Sequence, residues 1–359
     1  MDALEQARAE IDEVDAQLAA LFERRMAAVL QVAEYKRAHG LPIFDAAREA
    51  AVLEKAAARI HAPALRPYYK DHVQNMMDVA KQYEALILGQ NRAAYQGVEG
   101  AFAHIALRAL FPHAEAVSCP TWDEVFAAVE RGDAAHGVVP FENSHAGDVS
   151  AVLDLCYNHP DLWVVDVYDL PISQNLLVLP GTQLAEIRSV YSHQQAIAQS
   201  ETFLKQFHLP ATAMLNTAMA AKMVAEKGDR HAAAISSHPC AELYGLESVR
   251  DDIQDSDNNY TRFICIAKDP VIYAGANRIS LVIACDNKPG ALYDILSKLA
   301  ALGINMTKLE SCPVTGRNFE FIFFLELEAS VQEPGVLAML EELERSCAGF
   351  HFLGNYAEV

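Results

Sequence analysis

The apolar residues change their period twice along the chain. Residues 4–37 contain no Gly or Pro and are rich in Ala, Leu, Glu and Arg, which predicts one long helix. Leu4, Ile11, Val14, Leu18, Leu21, Val29 and Val32 recur on helical spacing and form one apolar stripe. Gly40-Leu41-Pro42 ends that helix, and Asp45 opens a second carrying Arg48, Glu49, Val52, Leu53 and Ile60. Beyond Pro63 and Pro67 a third helix turns Val73, Met76, Met77, Ala80 and Ile87 inward, with Glu84 in line with Ala80. After residue 91 short apolar runs alternate with helical segments. Strands are expected at 137–139, 162–167, 176–179, 190–192, 232–235 and 263–267. Helices are expected from Trp122, Gln195 and Asn216. Two lobes follow from this alternation, with chain crossings near 170–175 and 250–260. From residue 277 the pattern becomes strand 279–284, helix, strand 304–310, strand 319–327, helix 336–347. The domains expected are therefore 1–90, 92–270 and 277–359.

The polar positions carry the chemistry. Val138-Val139-Pro140 reads as a buried strand ending at a proline, which cannot donate to a ladder. Glu142, Asn143 and Ser144 would then fall just past the strand end, where open α/β sheets place ligands. A loop with an Asx turn and a helix cap is the plain alternative. Further polar clusters stand at Ser192-His193-Gln194-Gln195 and Thr261-Arg262. Three clusters from two lobes meeting at a cleft make a ligand site the better reading.

Charge narrows the class. With 28 basic and 48 acidic residues the formal charge is -20, which argues against nucleic acid and anionic membranes as partners. A small anionic substrate must be captured by locally placed Arg and Lys. The N-terminus has no basic segment followed by an apolar core, so no signal peptide is expected, nor a membrane span. Seven scattered cysteines without a Cys-x-x-Cys pair suit free thiols in a reducing cytoplasm. No His or Cys spacing indicates a metal site, and nothing calls for a cofactor.

Arg8, Arg25 and Lys36 fall on or beside the apolar stripe of the first helix. Cations there are costly unless paired or serving an anion. Arg25 and Lys36, close to three turns apart, point the same way about 16 Å apart along the axis. These residues with Asp45, Arg48 and Glu49, on helices in this order, resemble the all-helical chorismate mutases across residues 1–88. The resemblance implies an intertwined homodimer in which Arg8 enters the partner subunit's site. Arg25, Lys36 and that Arg8 would hold the two carboxylates and the ether oxygen, and Asp45, Arg48 and Glu49 would complete the pocket. The family commonly has Ser and Gln where this chain has Ala80 and Glu84. Ala80 lacks the hydroxyl contact, and Glu84 can donate to the ether oxygen only when protonated. Mutase activity is accordingly expected to decline as pH rises.

The order Gly97-x-x-Gly100, Val139-Pro140-x-Glu142-Asn143-Ser144, Tyr191-Ser192-His193-x-Gln195 and Asn259-x-Thr261-Arg262-Phe263 resembles prephenate dehydratase. That implies a periplasmic-binding-protein-like fold and loss of water and CO2 from prephenate. Thr261 is the family's residue at the leaving hydroxyl. Glu142 is the rival proton donor if desolvated, and Arg262 is expected to bind a carboxylate bidentately. Asn143, Ser144, Ser192, His193 and Gln199 would be polar contacts to substrate. Gln194 stands where the family usually has Pro, and Ala103 where it usually has Ser.

The last segment has the βαββαβ order of a ferredoxin-like module. Gly290-Ala291-Leu292 followed by Asn305-x-Thr307-x-x-Glu310-Ser311-x-Pro313 resembles ACT modules, which bind amino acids at subunit interfaces. The resemblance implies that Gly290, Ala291, Leu292, Glu310 and Ser311 contact L-phenylalanine as an inhibitor. Cys312 replaces the family's Arg, which puts the strength of feedback in question. A pure dimerisation module is the plain alternative.

The combined expectation is a multidomain chain: an all-α mutase, a two-lobed α/β dehydratase and an α+β ACT domain. It would convert chorismate to prephenate and prephenate to phenylpyruvate. A non-enzymatic small-molecule sensor is the alternative from another class, and preference for arogenate is the narrower one.

Overall fold

The computed structural model describes residues 3–41, 43, 45–89, 91–145, 147–256, 258–272, 275–284, 288–313 and 321–357. The chain forms two compact units, residues 1–91 and 92–359. Pro42, residues 319 and 320 and the side chain of Cys312, all used above, lie outside the described residues.

The first unit is helical throughout. Helix α1 spans Ala3–His39, α2 Ala46–Arg59 and α3 Arg66–Leu88. The Asp45 carboxylate caps α2 by accepting from the Arg48 backbone N–H, so the residue that opens the helix in the sequence also satisfies its first turn. Gly89, in the left-handed conformation, ends α3. Ala56, Val73 and Met77 form a small core between α2 and α3. Helix α1 buries only Ala33 within its own chain. Leu4, Ile11, Val14, Leu18 and Leu21 are 57%, 58%, 48%, 48% and 57% exposed, so the apolar stripe has no cover from this protomer.

Among the described residues the second unit forms three sheets. Its elements in chain order begin with β1 (Arg92–Gln96), α4 (Phe102–Leu110), β2 (Glu115–Cys119), α5 (Trp122–Arg131), β3 (His136–Asn143), β4 (Gly147–Asp148), α6 (Ser150–Asn158) and β5 (Trp163–Pro171). The second lobe holds β6 (Asn175–Val178), β7 (Ser189–His193), α7 (Gln194–Gln199), α8 (Glu201–Gln206), β8 (Ala211–Met214), α9 (Thr217–Lys227), β9 (Ala232–Ser236), α10 (Pro239–Tyr244) and β10 (Glu247–Arg250). Strand β11 (Tyr260–Ala267) then returns to the first lobe, whose sheet runs β2-β1-β3-β11-β5 with β4 beside β3. The second sheet runs β10-β6-β9-β7-β8. The chain therefore crosses between lobes after β5 and before β11, in the two places the apolar pattern marks.

The third sheet is built from β12 (Arg278–Ala284), α11 (Ala291–Ala301), β13 (Asn305–Pro313), β14 (Phe321–Glu328), α12 (Val336–Ser346) and β15 (Gly349–Tyr356), in the order β13-β14-β12-β15. Helices α11 and α12 cover one face around Ile295, Leu299, Leu340 and Leu343. The other face docks on the first lobe: Val282, Ile322, Phe324, Leu353 and Tyr356 share a core with Phe141, Val152, Leu153 and Ile264. A ferredoxin-like sheet with one face left open must bury it somewhere, and here the neighbouring lobe supplies the cover.

Strand β3 does not end at Pro140. It runs on to Asn143, with Pro140 opposite Phe263 and Glu142 opposite Arg262 on β11. The register shift makes Phe141 the extra residue of a β-bulge, one of the places where a sheet tolerates proline. On the opposite side β1 pairs with β3 only through His136–Val138, so the missing Pro140 N–H costs no ladder bond there.

Candidate active sites

In the helical unit α1 and α3 run parallel. An Arg25 guanidinium N–H donates to the Met76 carbonyl at 3.1 Å, and Lys36 Nζ lies 3.0 Å from Glu84 Oε1. Lys36 also donates to the Ile43 carbonyl at 2.6 Å. Ala80 and Glu84 are both buried on α3, one turn apart. Arg25, Ala80, Glu84 and Lys36 thus share one α1–α3 seam. Glu49 pairs instead with Lys81 at 3.0 Å, Asp45 is engaged in capping, and Arg48 and Arg8 stand exposed. A single protomer does not bring Arg8 to this seam: it sits on the uncovered N-terminal half of α1.

In the two-lobed region Asn143 is the hub. Thr261 lies directly opposite it across the β3–β11 ladder, and Asn143 Nδ2 donates to Thr261 Oγ1 at 3.0 Å. The same nitrogen lies 3.1 Å from Asn259 Oδ1 and 3.0 Å from the Tyr260 carbonyl. Asn143 Oδ1 accepts from Gln195 Nε2 and from the His145 backbone N–H, each at 3.1 Å. Asn259 in turn donates to Gln199 Oε1 at 3.0 Å. The second lobe therefore reaches Thr261 through Gln195 and Gln199 on α7. Ser144 locks the turn: its Oγ accepts from the Tyr260 N–H at 3.0 Å and donates to the Asn258 carbonyl at 3.1 Å. A cavity of about 310 Å³ opens beside this network, its walls including His145, Gln195, Gln199 and Asn259.

Two expected contacts take supporting positions. Ser192 is fully buried and donates to the Ile235 carbonyl at 2.6 Å. His193 caps α7, its Nδ1 accepting from the Gln195 N–H at 3.3 Å. Burial holds its pKa below the ordinary imidazole value, which suits a neutral ring with the proton on Nε2.

Glu142 and Arg262 do not join Asn143 and Thr261. Alternation along β3 and β11 turns their side chains to the opposite face of the sheet. Glu142 Oε2 lies 2.7 Å from Lys308 Nζ on β13. Arg262 binds Asp169 through two 2.8 Å hydrogen bonds and lies 3.4 Å from Glu326 on β14. The expectation that both line the cleft is corrected here: Glu142 stands against a cation of the third sheet, and the Arg262 fork grips a protein carboxylate.

The Gly-x-x-Gly turn is a close approach between lobes. A Cβ on Gly100 would stand 2.7 Å from Cys240 Sγ and 3.0 Å from Leu243 on α10, and the Gly100 carbonyl accepts from Ser237 at 3.3 Å.

In the third sheet β12 and β13 run the same way, since each is antiparallel to β14. That brings the end of β13, with Glu310 and Ser311, to the end of the sheet where α11 begins at Gly290, Ala291 and Leu292. Gly290, with φ 89°, caps α11, a conformation that favours glycine.

A prephenate dehydratase family model matches residues 93–271, a type II chorismate mutase model residues 7–85 and an ACT domain model residues 279–345. A bifunctional chorismate mutase/prephenate dehydratase of Aquifex aeolicus is 30% identical over 368 residues, covering 99% of this chain and 98% of that protein. The chain belongs to the bifunctional chorismate mutase/prephenate dehydratase family. Arogenate dehydratase/prephenate dehydratase 2 of Arabidopsis thaliana is 36% identical over 277 residues, covering 74% of this chain and 72% of that protein. A solved prephenate dehydratase from Arthrobacter aurescens in complex with L-Phe superimposes with a TM-score of 0.69 at 27% identity, over 74% of this chain and 90% of that one.

Gln195 and Asn259 complete the hub; they stand close to the expected contacts His193 and Thr261, inside the same two motifs. No group of three His, Cys, Asp or Glu among the described residues could hold a metal ion. No described helix is long and apolar enough to cross a membrane.

Proposed function

We propose that the chain catalyses two reactions of L-phenylalanine biosynthesis and is inhibited by L-phenylalanine. The helical unit converts chorismate to prephenate. This rearrangement needs neither nucleophile nor base; cations hold a compact conformer and stabilise charge on the breaking ether. The exposed stripe of α1 favours pairing with a second copy, which would supply its Arg8 to the Arg25–Lys36 seam.

The two-lobed region converts prephenate to phenylpyruvate. The C–O bond of the ring hydroxyl breaks as that oxygen gains a proton and leaves as water. The electrons of the ring-carboxylate bond flow into the ring, which becomes aromatic, and CO2 departs. The Asn143–Thr261 hydrogen bond carries this reading. A Thr261 oxygen that accepts from Asn143 keeps its own proton for donation, and accepting polarises that O–H. Thr261 therefore serves the leaving hydroxyl, and Glu142 is withdrawn from the role of proton donor. A reducing cytoplasm fits the cysteines: Cys119, Cys156, Cys240 and Cys265 are free thiols and buried.

Following chorismate through prephenate to phenylpyruvate, with and without L-phenylalanine and with arogenate as a competing substrate, tests the reading. Both conversions are expected, with the second suppressed by L-phenylalanine. Chorismate left unconsumed, or arogenate turned over in preference to prephenate, would overturn the corresponding part. The solution mass is expected to be that of a dimer, and to fall when Leu18→Glu interrupts the stripe.

A further inference from the structure

Behind the Asn143–Thr261 pair, on the opposite face of the first-lobe sheet, two cross-strand pairs of opposite charge face each other. Glu142 and Arg262 are register partners on β3 and β11. Lys308 and Glu326 are register partners on β13 and β14 of the third sheet. Lys308 meets Glu142 at 2.7 Å and Glu326 meets Arg262 at 3.4 Å, so each sign opposes its complement. The quartet is well fixed. Lys308 sits over the rings of Phe141 and Phe324, 5.3 and 5.9 Å from their centroids, and those rings meet edge to face at 5.0 Å. The Glu326 side chain is only 6% exposed. It accepts from Tyr356 Oη at 2.8 Å and Thr307 Oγ1 at 3.2 Å, and Tyr356 is itself tied to Ser280 at 2.5 Å.

We propose that Lys308 and Glu326 are positioning residues for the dehydratase site. They hold Glu142 and Arg262, and thereby the adjoining backbone that aims Asn143 at Thr261. Each anchored residue precedes or follows a hub residue by one position, so a shift of β13 relative to β3 is delivered to the Asn143–Thr261 distance. The bulge at Phe141 removes ladder bonds that would otherwise fix this end of β3 from within its own sheet. Lys308 also stands two residues before Glu310, on the strand that carries Glu310 and Ser311 to the edge of the third sheet. An amino-acid effector gripping those two residues therefore pulls on the same strand. The inference rests on the dehydratase and effector roles proposed above and adds which side chains connect them.

The test compares prephenate turnover by the full chain with that of Lys308→Met, Glu142→Gln, the double variant and Lys308→Arg. Lys308→Met is expected to lower kcat about tenfold while KM stays within about twofold, because the group positions rather than binds. It is also expected to blunt inhibition by L-phenylalanine. The double variant should be no worse than either single change, and Lys308→Arg should keep most of the parent activity. Chorismate consumption should not move. A Lys308→Met enzyme with unchanged kcat and unchanged response to L-phenylalanine overturns the proposal, as does a loss confined to KM. If Lys308→Met does not fold, Glu142→Gln decides it: a lowered kcat is expected, and an unchanged kcat overturns the proposal. A parent chain that makes no phenylpyruvate would instead defeat the dehydratase reading.

Discussion

Asn143 Nδ2 and Thr261 Oγ1 lie 3.0 Å apart across two antiparallel strands of the first lobe, and Gln195 of the second lobe reaches the same Asn143 side chain. Proton donation by a positioned group is worth about 10²–10⁴-fold in rate. Thr261→Ala is therefore expected to cut phenylpyruvate formation by about that range while chorismate is consumed at the parent rate. Thr261→Ser should retain the larger share. Parallel loss of both conversions in Thr261→Ala would point to misfolding and sink the assignment.

Lys36 and Glu84 pair at 3.0 Å on the α1–α3 seam, with Glu84 only 6% exposed. An ionised Glu84 accepts but cannot donate to an ether oxygen, whereas a Gln can donate at any pH. Glu84→Gln is expected to raise mutase kcat/KM relative to the parent. The same change removes the partner of a largely buried ammonium, so stability should drop by a few kcal/mol at most, because Lys36 retains the Ile43 carbonyl. An unchanged or lowered kcat/KM in a folded Glu84→Gln chain would defeat the argument.

Much of this was legible from periodicity. The uninterrupted 4–37 run folds as one long helix, α1, and its stripe of Leu and Ile stays exposed in the protomer. The two crossings showed because turn residues interrupt otherwise apolar strands. The cleft was half legible. Glu142, Asn143 and Ser144 look like one cluster in sequence, yet consecutive strand residues face opposite ways, so Glu142 and Arg262 belong to a different surface from Asn143 and Thr261. Pro140 misled because a proline at a bulge and a proline at a strand end look alike in one dimension. The contact of Glu142 with Lys308 spans 166 positions. No local pattern encodes such a pair; only the docking of one sheet on another creates it.

That docking makes a prediction of its own. A Cβ on Gly354 would stand 2.0 Å from the Val164 carbonyl oxygen, so β15 can approach β5 this closely only without a side chain. The φ angle at Gly354 is not positive, which leaves space as the reason for glycine. Gly354→Ala must push the third sheet off the first lobe, with a cost of about 1–3 kcal/mol for overpacking. Thermal unfolding should show a lower midpoint. If the charge quartet transmits as argued, kcat for prephenate should fall with it. An unaltered midpoint in Gly354→Ala would show that the two sheets do not pack this closely.

His136 opens β3 at the far end from the hub, its ring stacked on Phe111 with centroids 4.5 Å apart. Burial pushes its pKa from 6.5 down to about 4, so the folded chain holds the ring neutral while the unfolded chain protonates it near its ordinary value. The unfolded state then binds more protons between those two values, and stability must fall as pH drops from about 6.5 towards 4. Below 4 the ring adds no further dependence, and above 6.5 its contribution is fully present. The full shift would be worth about 3 kcal/mol, an upper bound because part of the residue still reaches solvent. Urea unfolding at pH 7.5 and pH 4.5 should therefore show a smaller loss of stability in His136→Gln than in the parent, whatever the carboxylates contribute to both. Equal losses in the two proteins would mean that the His136 ring is hydrated in the folded state.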